Sequence, residues 1–290
     1  HYSLPELTAP GRETIGRIVF SHGGSSVVLE RSGDEWVIKP EGYKADRGSV
    51  DRMLDAIAGF SIGALVAESG NYAIYDLEGG KRIKLEAYSG SDVALAVDIG
   101  KTAPTGMHTF VRLEGRDGVY QAAGNIRNTF ETDAARLRDK TAVSFDAAEV
   151  TGLNIVSGDG SIDLAKSLPV RAQGAENDSL PPAAEASGAA PAATWVTPDS
   201  READPRAVDQ ILNSLSNLRC ESYLEGRAAE DLGVPLYTVM IRGARPVTLS
   251  IYAMEGEKYP AVSSQNEYPF LLPKWRVDQI MKKPSDLIKN

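Results

Sequence analysis

One pattern occurs twice in this chain, and the repeat constrains the fold more than any other feature. The first copy contains Trp36-Val37-Ile38-Lys39-Pro40, Ala45-Asp46 and segment 50–57, and the second contains Trp195-Val196-Thr197-Pro198, Ala203-Asp204 and segment 208–215. Repetition of a unit with strands and one helix predicts a tandem duplication. Neither copy contains a catalytic cluster, which favours a scaffold or binding role over an enzymatic one.

Length and charge restrict the classes of protein to which the chain can belong. Its 290 residues suffice for about two domains of roughly 100 to 200 residues each. The net charge of -9 argues against nucleic acid or an anionic membrane surface as the main partner, because both attract basic surfaces. Cys220 is the single cysteine, so neither an intrachain disulfide nor a thiol metal cluster is expected. No apolar run approaches the roughly 20 residues that cross a bilayer.

Apolar alternation in the first copy predicts a meander of strands followed by a helix. The predicted strands are residues 15–20, 26–31 and 36–38, and the predicted helix is 50–60. Asp46 and Ser49 are the candidates for its N-cap. Further strands are predicted at 82–87, 92–97, 108–113 and 118–121, before a short helix at 126–130.

The second copy contains a corresponding series of elements. Strands are predicted at 150–156, 161–166, from Trp195, and at 236–241, 247–252 and 267–272, with helices at 208–218 and 277–281. Gly59 and Asn217 stand at aligned places near the ends of the two long helices. Both residue types readily adopt the left-handed conformation that ends a helix, so we expect that conformation at both positions.

The predicted fold class is therefore α+β, with two tandem copies of a mainly antiparallel sheet unit, each covered by a helix. The first unit is predicted at 12–143 and the second at 148–290. An Ala/Pro-rich segment at about 170–194 has the composition of a linker between domains. The repeat nevertheless places it inside the second unit, where it replaces the turn 32–35. It is therefore predicted to be a flexible insertion.

Two short motifs match known catalytic or phosphate-binding patterns only in part. Gly59-Phe60-Ser61-Ile62-Gly63 fits the G-x-S-x-G elbow of hydrolases, which would make Ser61 a nucleophile, but that elbow requires a strand before it and a helix after it. A helix is predicted before Ser61. Segment 98–102 is similar to the end of a phosphate-binding loop, but Leu95 replaces the required glycine. We predict a helix terminator at the first motif, and a strand end followed by a loop at the second.

Other candidate sites have simpler interpretations. The acidic segment 157–163 could bind calcium, but its glycines favour a hairpin turn. Asn177 begins a glycosylation sequon, which has meaning only in a eukaryotic secretory chain. The histidines His1, His22 and His108 are too scattered to predict a metal site or a Ser-His pair. The sequence therefore assigns no catalytic, metal-binding or cofactor-binding residue, predicts no cofactor, and leaves the binding residues unknown.

The three tryptophans could pack in a core or stack on a ligand. Trp36 and Trp195 stand at equivalent places beside predicted buried strands, which favours the core. Trp275, near Tyr268 and Phe270, could belong to an exposed recognition patch, although packing is again favoured.

Several of these segments together resemble a known family. They are 15–31, 36–40, 45–46, 50–60, 98–102 and 137–140. Over nearly all of the first unit the chain resembles the bacterial domain-of-unknown-function 4340 family, and the second unit looks like a diverged copy that lacks the Gly100-Lys101-Thr102 element. The resemblance implies a protein tethered by one N-terminal membrane helix and associated with gliding-motility-type ABC transporters. It supplies no catalytic residues. The chain begins at His1 rather than Met, so we expect that such a helix is missing.

The leading hypothesis is a noncatalytic, membrane-tethered binding or scaffold protein at the periplasmic or extracytoplasmic face of a bacterial inner membrane. Its expected partner is an ABC transporter subunit or an envelope polymer, with no nucleic acid. Membrane contact is expected only through the missing N-terminal anchor. One alternative is a hydrolase of cell-envelope glycans that uses a carboxylate pair. Another is a purely structural spacer.

Overall fold

The structure is a computed structural model that describes residues 4–167 and 194–289. It contains two compact units, which we call unit 1 (1–139) and unit 2 (140–290). The division lies shortly before residue 143, where the sequence analysis ended the first unit. Most of the predicted insertion at about 170–194, together with Asn177 and His1, lies outside the described residues.

Unit 1 is built on a nine-stranded antiparallel sheet. Its strands are β1 (Arg17–His22), β2 (Ser25–Ser32), β3 (Glu35–Lys39), β4 (Tyr43–Lys44), β5 (Ile62–Ala67), β6 (Ile83–Ser89), β7 (Asp92–Thr102), β8 (His108–Leu113) and β9 (Val119–Ala123). Its α-helices are α1 (Arg47–Ala58), α2 (Arg127–Phe130) and α3 (Ala134–Leu137). The order of strands across the sheet is β4-β3-β2-β1-β6-β7-β8-β9-β5.

Unit 2 contains an eight-stranded antiparallel sheet and a two-stranded one. The strands are β10 (Thr141–Ser144), β11 (Gly152–Ser157), β12 (Gly160–Ser167), β13 (Thr194–Val196), β14 (Asn217–Arg219), β15 (Ser222–Tyr223), β16 (Tyr237–Arg242), β17 (Val247–Ile251), β18 (Lys258–Ser263) and β19 (Asn266–Pro273). The helices are α4 (Pro205–Leu215) and α5 (Lys274–Ile280). The large sheet has the order β13-β12-β11-β16-β17-β18-β19-β15, and β10 pairs with β14. The predicted α+β class with mainly antiparallel sheets is confirmed.

The two large sheets follow one order of strands. If β4 is set aside, each strand of unit 1 has a counterpart at the same place in unit 2. Backbone hydrogen bonds correspond as well: Ala45 N donates to Trp36 O, and Ala203 N donates to Trp195 O, both at 2.8 Å. We use this correspondence of registers to define matched positions in the two units.

The long helices α1 and α4 bury one apolar stripe each in the core of their own unit. The buried residues are Val50, Met53, Leu54 and Ile57 in α1, and Val208, Ile211, Leu212 and Leu215 in α4. Each stripe belongs to the same apolar cluster as the inward-facing residues of the strands. Asp46 caps α1 by accepting a hydrogen bond from Ser49 N at 2.9 Å, as predicted. Asp204 caps α4, and Pro205 takes the first helical position.

The predicted left-handed ends of the long helices are wrong. Gly59 has φ -89° and ψ 6°, and Asn217 is the first residue of β14. A glycine still suits position 59, because an added Cβ would lie 3.1 Å from the carbonyl oxygen of Asp55. Close approach of the backbone, rather than positive φ, therefore explains Gly59.

Other differences concern strands that the apolar pattern did not reveal. Segment 98–102 was predicted as a strand end followed by a loop, but β7 continues through Thr102. The short strands β5, β14 and β15 were not predicted. β18 was also missed, because Pro260 interrupts its pattern. The hairpin turn predicted within segment 157–163 is confirmed, since Ser157 pairs with Gly160 across a two-residue turn.

Candidate binding groove

A groove lies beside helix α1 in unit 1, and we call it the α1 groove. It encloses about 640 Å³, within the range of small-molecule and peptide sites. Its lining residues are Arg12, Glu13, Arg31, Gly33, Asp34, Glu35, Trp36, Lys44, Ala45, Arg47, Val50, Asp51, Leu54 and Asp139. Charged side chains of both signs thus surround a small apolar floor.

A tight hairpin positions one wall of the α1 groove. Strands β2 and β3 are joined by a two-residue turn at Gly33 and Asp34, where Gly33 has φ +63°. This turn requires a left-handed residue, which glycine adopts without a steric penalty. The resulting register places Arg31 directly opposite Trp36. The guanidinium of Arg31 lies over the indole, 5.4 Å from the ring centroid.

Most of the charges in the α1 groove neutralise one another. Arg12 forms ion pairs with Asp51 and Asp55 on successive turns of α1. Hydrogen bonding to Asp55 raises the pKa of the Arg12 guanidinium, which keeps this cation charged. Lys44 pairs with Glu35 at 2.5 Å. These pairs fix the mouth of the groove but leave little free charge there.

Among the cations of the groove, Arg31 and the 91% exposed Arg47 lack a short ion pair, and Arg31 is the partly buried one. Its Nε is buried and has no hydrogen-bond partner in the described part of the chain. Its nearest carboxylate is that of Glu13, 3.7 Å from a terminal nitrogen, and the side chain of Glu13 is 85% exposed. This pair is longer than a hydrogen bond.

A second charged site lies on the outer face of the same sheet, and we call it the Asp98 cluster. Asp98 accepts hydrogen bonds from Nε and a terminal nitrogen of Arg112 at 3.2 and 2.7 Å, and from Arg82 at 3.4 Å. The bond to Asp98 raises the pKa of Arg112, whose guanidinium also stacks on Tyr72 at 4.5 Å. A cleft of about 300 Å³ adjoins the cluster. Because its central charges are paired, the cluster has the properties of a structural ion network.

The two partial motifs do not form reactive sites. Ser61 is exposed between α1 and β5, so a helix precedes it and a strand follows it, the reverse of a nucleophile elbow. Lys101 is exposed on β7. Gly100 is buried, and an added Cβ would overlap the carbonyl oxygen of Tyr75. The Gly-Lys-Thr element is therefore explained by close packing of β7.

The remaining candidate residues are dispersed. His22 lies near Arg127 and Glu131, and His108 begins β8. Within residues 4–167 and 194–289, no group of three His, Cys, Asp or Glu side chains is placed to hold a metal. Cys220 is buried and forms no disulfide. No helix among the described residues has the length and apolar character needed to span a membrane.

The tryptophans divide between core and surface. Trp36 and Trp195 are 9% and 4% exposed, which confirms that they pack in the core. The expectation of packing is wrong for Trp275, which is 57% exposed and carries the Arg276 guanidinium 4.4 Å from its ring centroid. The sequence analysis missed Arg31, although the Gly33-Asp34 turn already places it opposite Trp36.

Comparison with known proteins identifies a family and no characterised relative. No curated protein and no solved structure matches the chain. The sequence model of one family matches residues 36–235, more than half of the chain. The match includes α1 and the groove residues from Trp36 onward, but not Arg12 or Arg31. The chain belongs to the family described as Domain of unknown function (DUF4340).

Proposed function

We propose that this chain is a noncatalytic binding protein whose α1 groove recognises part of a partner at the extracytoplasmic face of a bacterial membrane. One observation carries the proposal: the groove combines a binding-sized volume with an apolar floor and a rim of ion-paired side chains. Such a mixture of apolar contact area and positioned polar groups suits recognition. The expected partner is a subunit or cargo of an ABC-type export system, because the family resemblance implies that setting.

The charges in the groove favour binding over glycan hydrolysis. A glycosidase needs one carboxyl group with a raised pKa to act as the acid. In the groove, Asp51 is paired with Arg12 and Glu35 with Lys44, so both carboxylates already have cationic partners. Elsewhere in the described residues, hydrogen bonds to lysine lower the pKa values of Glu86 and Glu202. These carboxylates have the opposite tuning from a general acid.

We further propose that the two units are copies of one ancestral unit. The common strand order supports this, and so do matched contacts at the helix starts. Asp46 N donates to Leu137 O at 2.7 Å, and Asp204 N donates to Leu287 O at 2.8 Å. Duplication would provide a stable platform in which one copy can change its surface while the shared frame persists.

The membrane setting is part of the same proposal. An N-terminal helix beyond the present chain would tether the platform, and the groove would face the extracytoplasmic side. The net charge of -9 is consistent with a protein partner or an envelope polymer, and it disfavours nucleic acid.

Site-specific photocrosslinking in native membranes tests the proposal. The full-length protein carries a photoreactive amino acid in place of Asp34, in the exposed turn at the groove, or of Asp159, in an exposed turn of unit 2. We expect position 34 to crosslink to an ABC transporter subunit, identified by mass spectrometry, and position 159 not to do so. If position 34 gives no such product while a known membrane complex crosslinks in the same sample, the proposal fails. Glycan binding and hydrolysis assays then become the next step.

A further inference from the structure

Arg31 is a partly buried cation of the α1 groove without a short ion pair. Arg47 also lacks a short pair, but it is 91% exposed and lies 3.9 Å from Asp51. Arg12 holds two carboxylates and Lys44 holds one. The side chain of Arg31 is 30% exposed and has one long ion pair, to the largely exposed Glu13. Its guanidinium forms no hydrogen bond within the described residues.

This arrangement is energetically incomplete. A guanidinium has five N–H donors in a rigid planar fork, and partly buried donors are normally paired. The indole of Trp36 contacts the guanidinium on one side without accepting a hydrogen bond. Arg31 is thus available for an acceptor that the described residues do not provide.

We propose that Arg31 is the oxyanion anchor of the α1 groove and binds a carboxylate or phosphate group of the ligand. This inference rests on the proposed function of the groove. The two oxygens of such a group match the terminal nitrogens of the guanidinium, an arrangement that gives geometric specificity as well as charge. The rest of the same ligand lies in the groove, above the largely buried side chains of Trp36, Val50 and Leu54 that form its floor.

In the structure, Glu13 forms a weak ion pair with Arg31 at the position proposed for the oxyanion of the ligand. Its carboxylate is the nearest to Arg31, but the pair is long and mostly exposed. Exposed ion pairs of this kind contribute little, so Glu13 can move into solvent when a ligand arrives. The ion pairs of Arg12 and Lys44 are shorter than the pair of Arg31 with Glu13, and they are not displaced by the ligand.

Unit 2 provides a matched control. Lys166 lies opposite Trp195 in the same register that places Arg31 opposite Trp36. Its ammonium is 6.0 Å from the indole centroid. A lysine has no planar fork, so this position conserves the charge without the bidentate geometry. We therefore assign oxyanion binding to Arg31 and not to Lys166.

NMR titration of the whole chain tests this assignment. Sodium acetate and sodium phosphate serve as the probes, and sodium chloride at equal ionic strength is the control. We expect saturable shifts of the Arg31 Nε–H and Trp36 indole N–H signals with at least one probe. The stronger probe identifies the source, since acetate represents a carboxylate and phosphate represents a phosphorylated group.

Variants separate anchoring from general charge. Arg31→Gln should weaken binding of the probe at least about tenfold, as expected for loss of charge-assisted hydrogen bonds. Arg31→Lys keeps the charge and the aliphatic stem, and it should also lose most of the affinity. Lys166→Gln should bind the probe like the wild type. Preserved dispersion of the indole signals verifies folding of each variant.

Other results overturn the inference. Shifts that increase linearly and equal those in chloride would mean that Arg31 binds no oxyanion. Saturable shifts that persist in Arg31→Gln would place the site elsewhere. If position 34 crosslinks to a transporter subunit but Arg31 binds neither probe, only this inference fails. If Arg31 binds a probe but no crosslink forms, the proposed partner fails and the anion site remains.

Discussion

The two units have the same strand order but different outer faces. At matched register positions that point away from the core, unit 1 has Lys84, Glu86, Asp98 and Arg112, and unit 2 has Thr238, Met240, Ser250 and Val262. The inward-facing residues of both units remain apolar and buried. The apolar residues of the buried face therefore determine the strand order and register. The residues of the outer face can differ between the units and acquire a separate chemistry.

The difference extends to the grooves. Arg12 lies in a single-turn helix before β1, and Ala147 stands at the matched start of the corresponding turn in unit 2. Unit 2 therefore lacks the arginine that pairs with two acidic residues on α1. In unit 2 the described residues form a much more open depression along α4 and α5, with Arg206 and Arg276 in its lining. In unit 1 the arginine over a tryptophan joins neighbouring strands beside the ion-paired helix α1, whereas in unit 2 the stacked Arg276 and Trp275 are adjacent residues of α5.

The shared frame should give similar losses when matched core residues are truncated. Ile57 in α1 and Leu215 in α4 are both completely buried. We expect Ile57→Ala and Leu215→Ala each to lower the free energy of unfolding by about 2–5 kcal/mol, because each leaves a cavity. Urea denaturation followed by circular dichroism measures the loss. The exposed variant Asn213→Ala should stay within about 0.5 kcal/mol of the wild type. A large loss in one unit alone would contradict equivalence of the two helices.

Position 100 is one place where the two units have the same strand order but different packing. Unit 1 has glycine there and unit 2 has Tyr252 at the matched position, two residues beyond Ser250. We expect Gly100→Ala to destabilise the fold by about 1–3 kcal/mol, because the new methyl group overlaps the Tyr75 carbonyl oxygen. Thermal unfolding measures the effect, and Lys101→Ala is the control. If only the lysine variant loses stability, packing is the wrong explanation for this element.

The sequence predicted those parts of the fold in which local patterns and buried faces agree. The helical stripe from Val50 to Ile57 and the alternation in β1 and β2 are determined by burial, so their periods appear in the sequence. Asp46 was identified as a cap because short acidic side chains satisfy the free N–H groups of a first turn. Each of these features depends on neighbouring residues alone or on burial of one side of an element against the core, and both leave a pattern in the local sequence.

What the sequence did not predict depends on partners distant along the chain. β5 pairs with β9, about 60 residues later, so the pairing that makes it a strand does not appear in its local sequence. β18 was not predicted because Pro260 argues against a strand, although the structure accommodates this proline within β18. The α1 groove brings Arg12, Arg31 and Asp51 together from three elements. The spacing of residues along one element cannot predict that side chains from three elements lie together. The hairpin register alone, however, could have predicted that Arg31 lies opposite Trp36.

The Asp98 cluster should behave as a coupled pair on the outer face. Asp98→Ser copies the residue of unit 2 and leaves Arg112 without its main acceptor. We expect a loss of about 1–2 kcal/mol in the free energy of unfolding. Adding Arg112→Val, which copies Val262, should cause a total loss smaller than the sum of the two single losses. A double-mutant cycle from urea denaturation measures this coupling, and strict additivity would mean that the ion network contributes nothing.

The smallest expected effect is the contribution of Glu86, on the outer face of unit 1, to the free energy of unfolding, and it depends on pH. Hydrogen bonds from Lys84 and from Tyr88, the latter at 2.5 Å, lower the pKa of Glu86 below its usual value. The folded-state pKa lies below the unfolded one, so this stabilisation is present above the unfolded pKa and is lost as the pH falls through the folded pKa. Glu86→Gln should therefore lower the free energy of unfolding near neutral pH by less than about 1 kcal/mol. At acid pH, the free energies of unfolding of Glu86→Gln and the wild type should become equal.

Urea denaturation at a series of pH values from neutral to acid measures the gap between these two free energies. Met240→Gln at the matched position of unit 2 is the control, and its effect should not change with pH, because neither side chain titrates. A gap for Glu86→Gln that stays constant across the titration would mean that the carboxylate has the same pKa in the folded and unfolded chains. The charged outer face of unit 1 would then differ from that of unit 2 in composition but not in its contribution to stability, because unpaired surface charges contribute little in water.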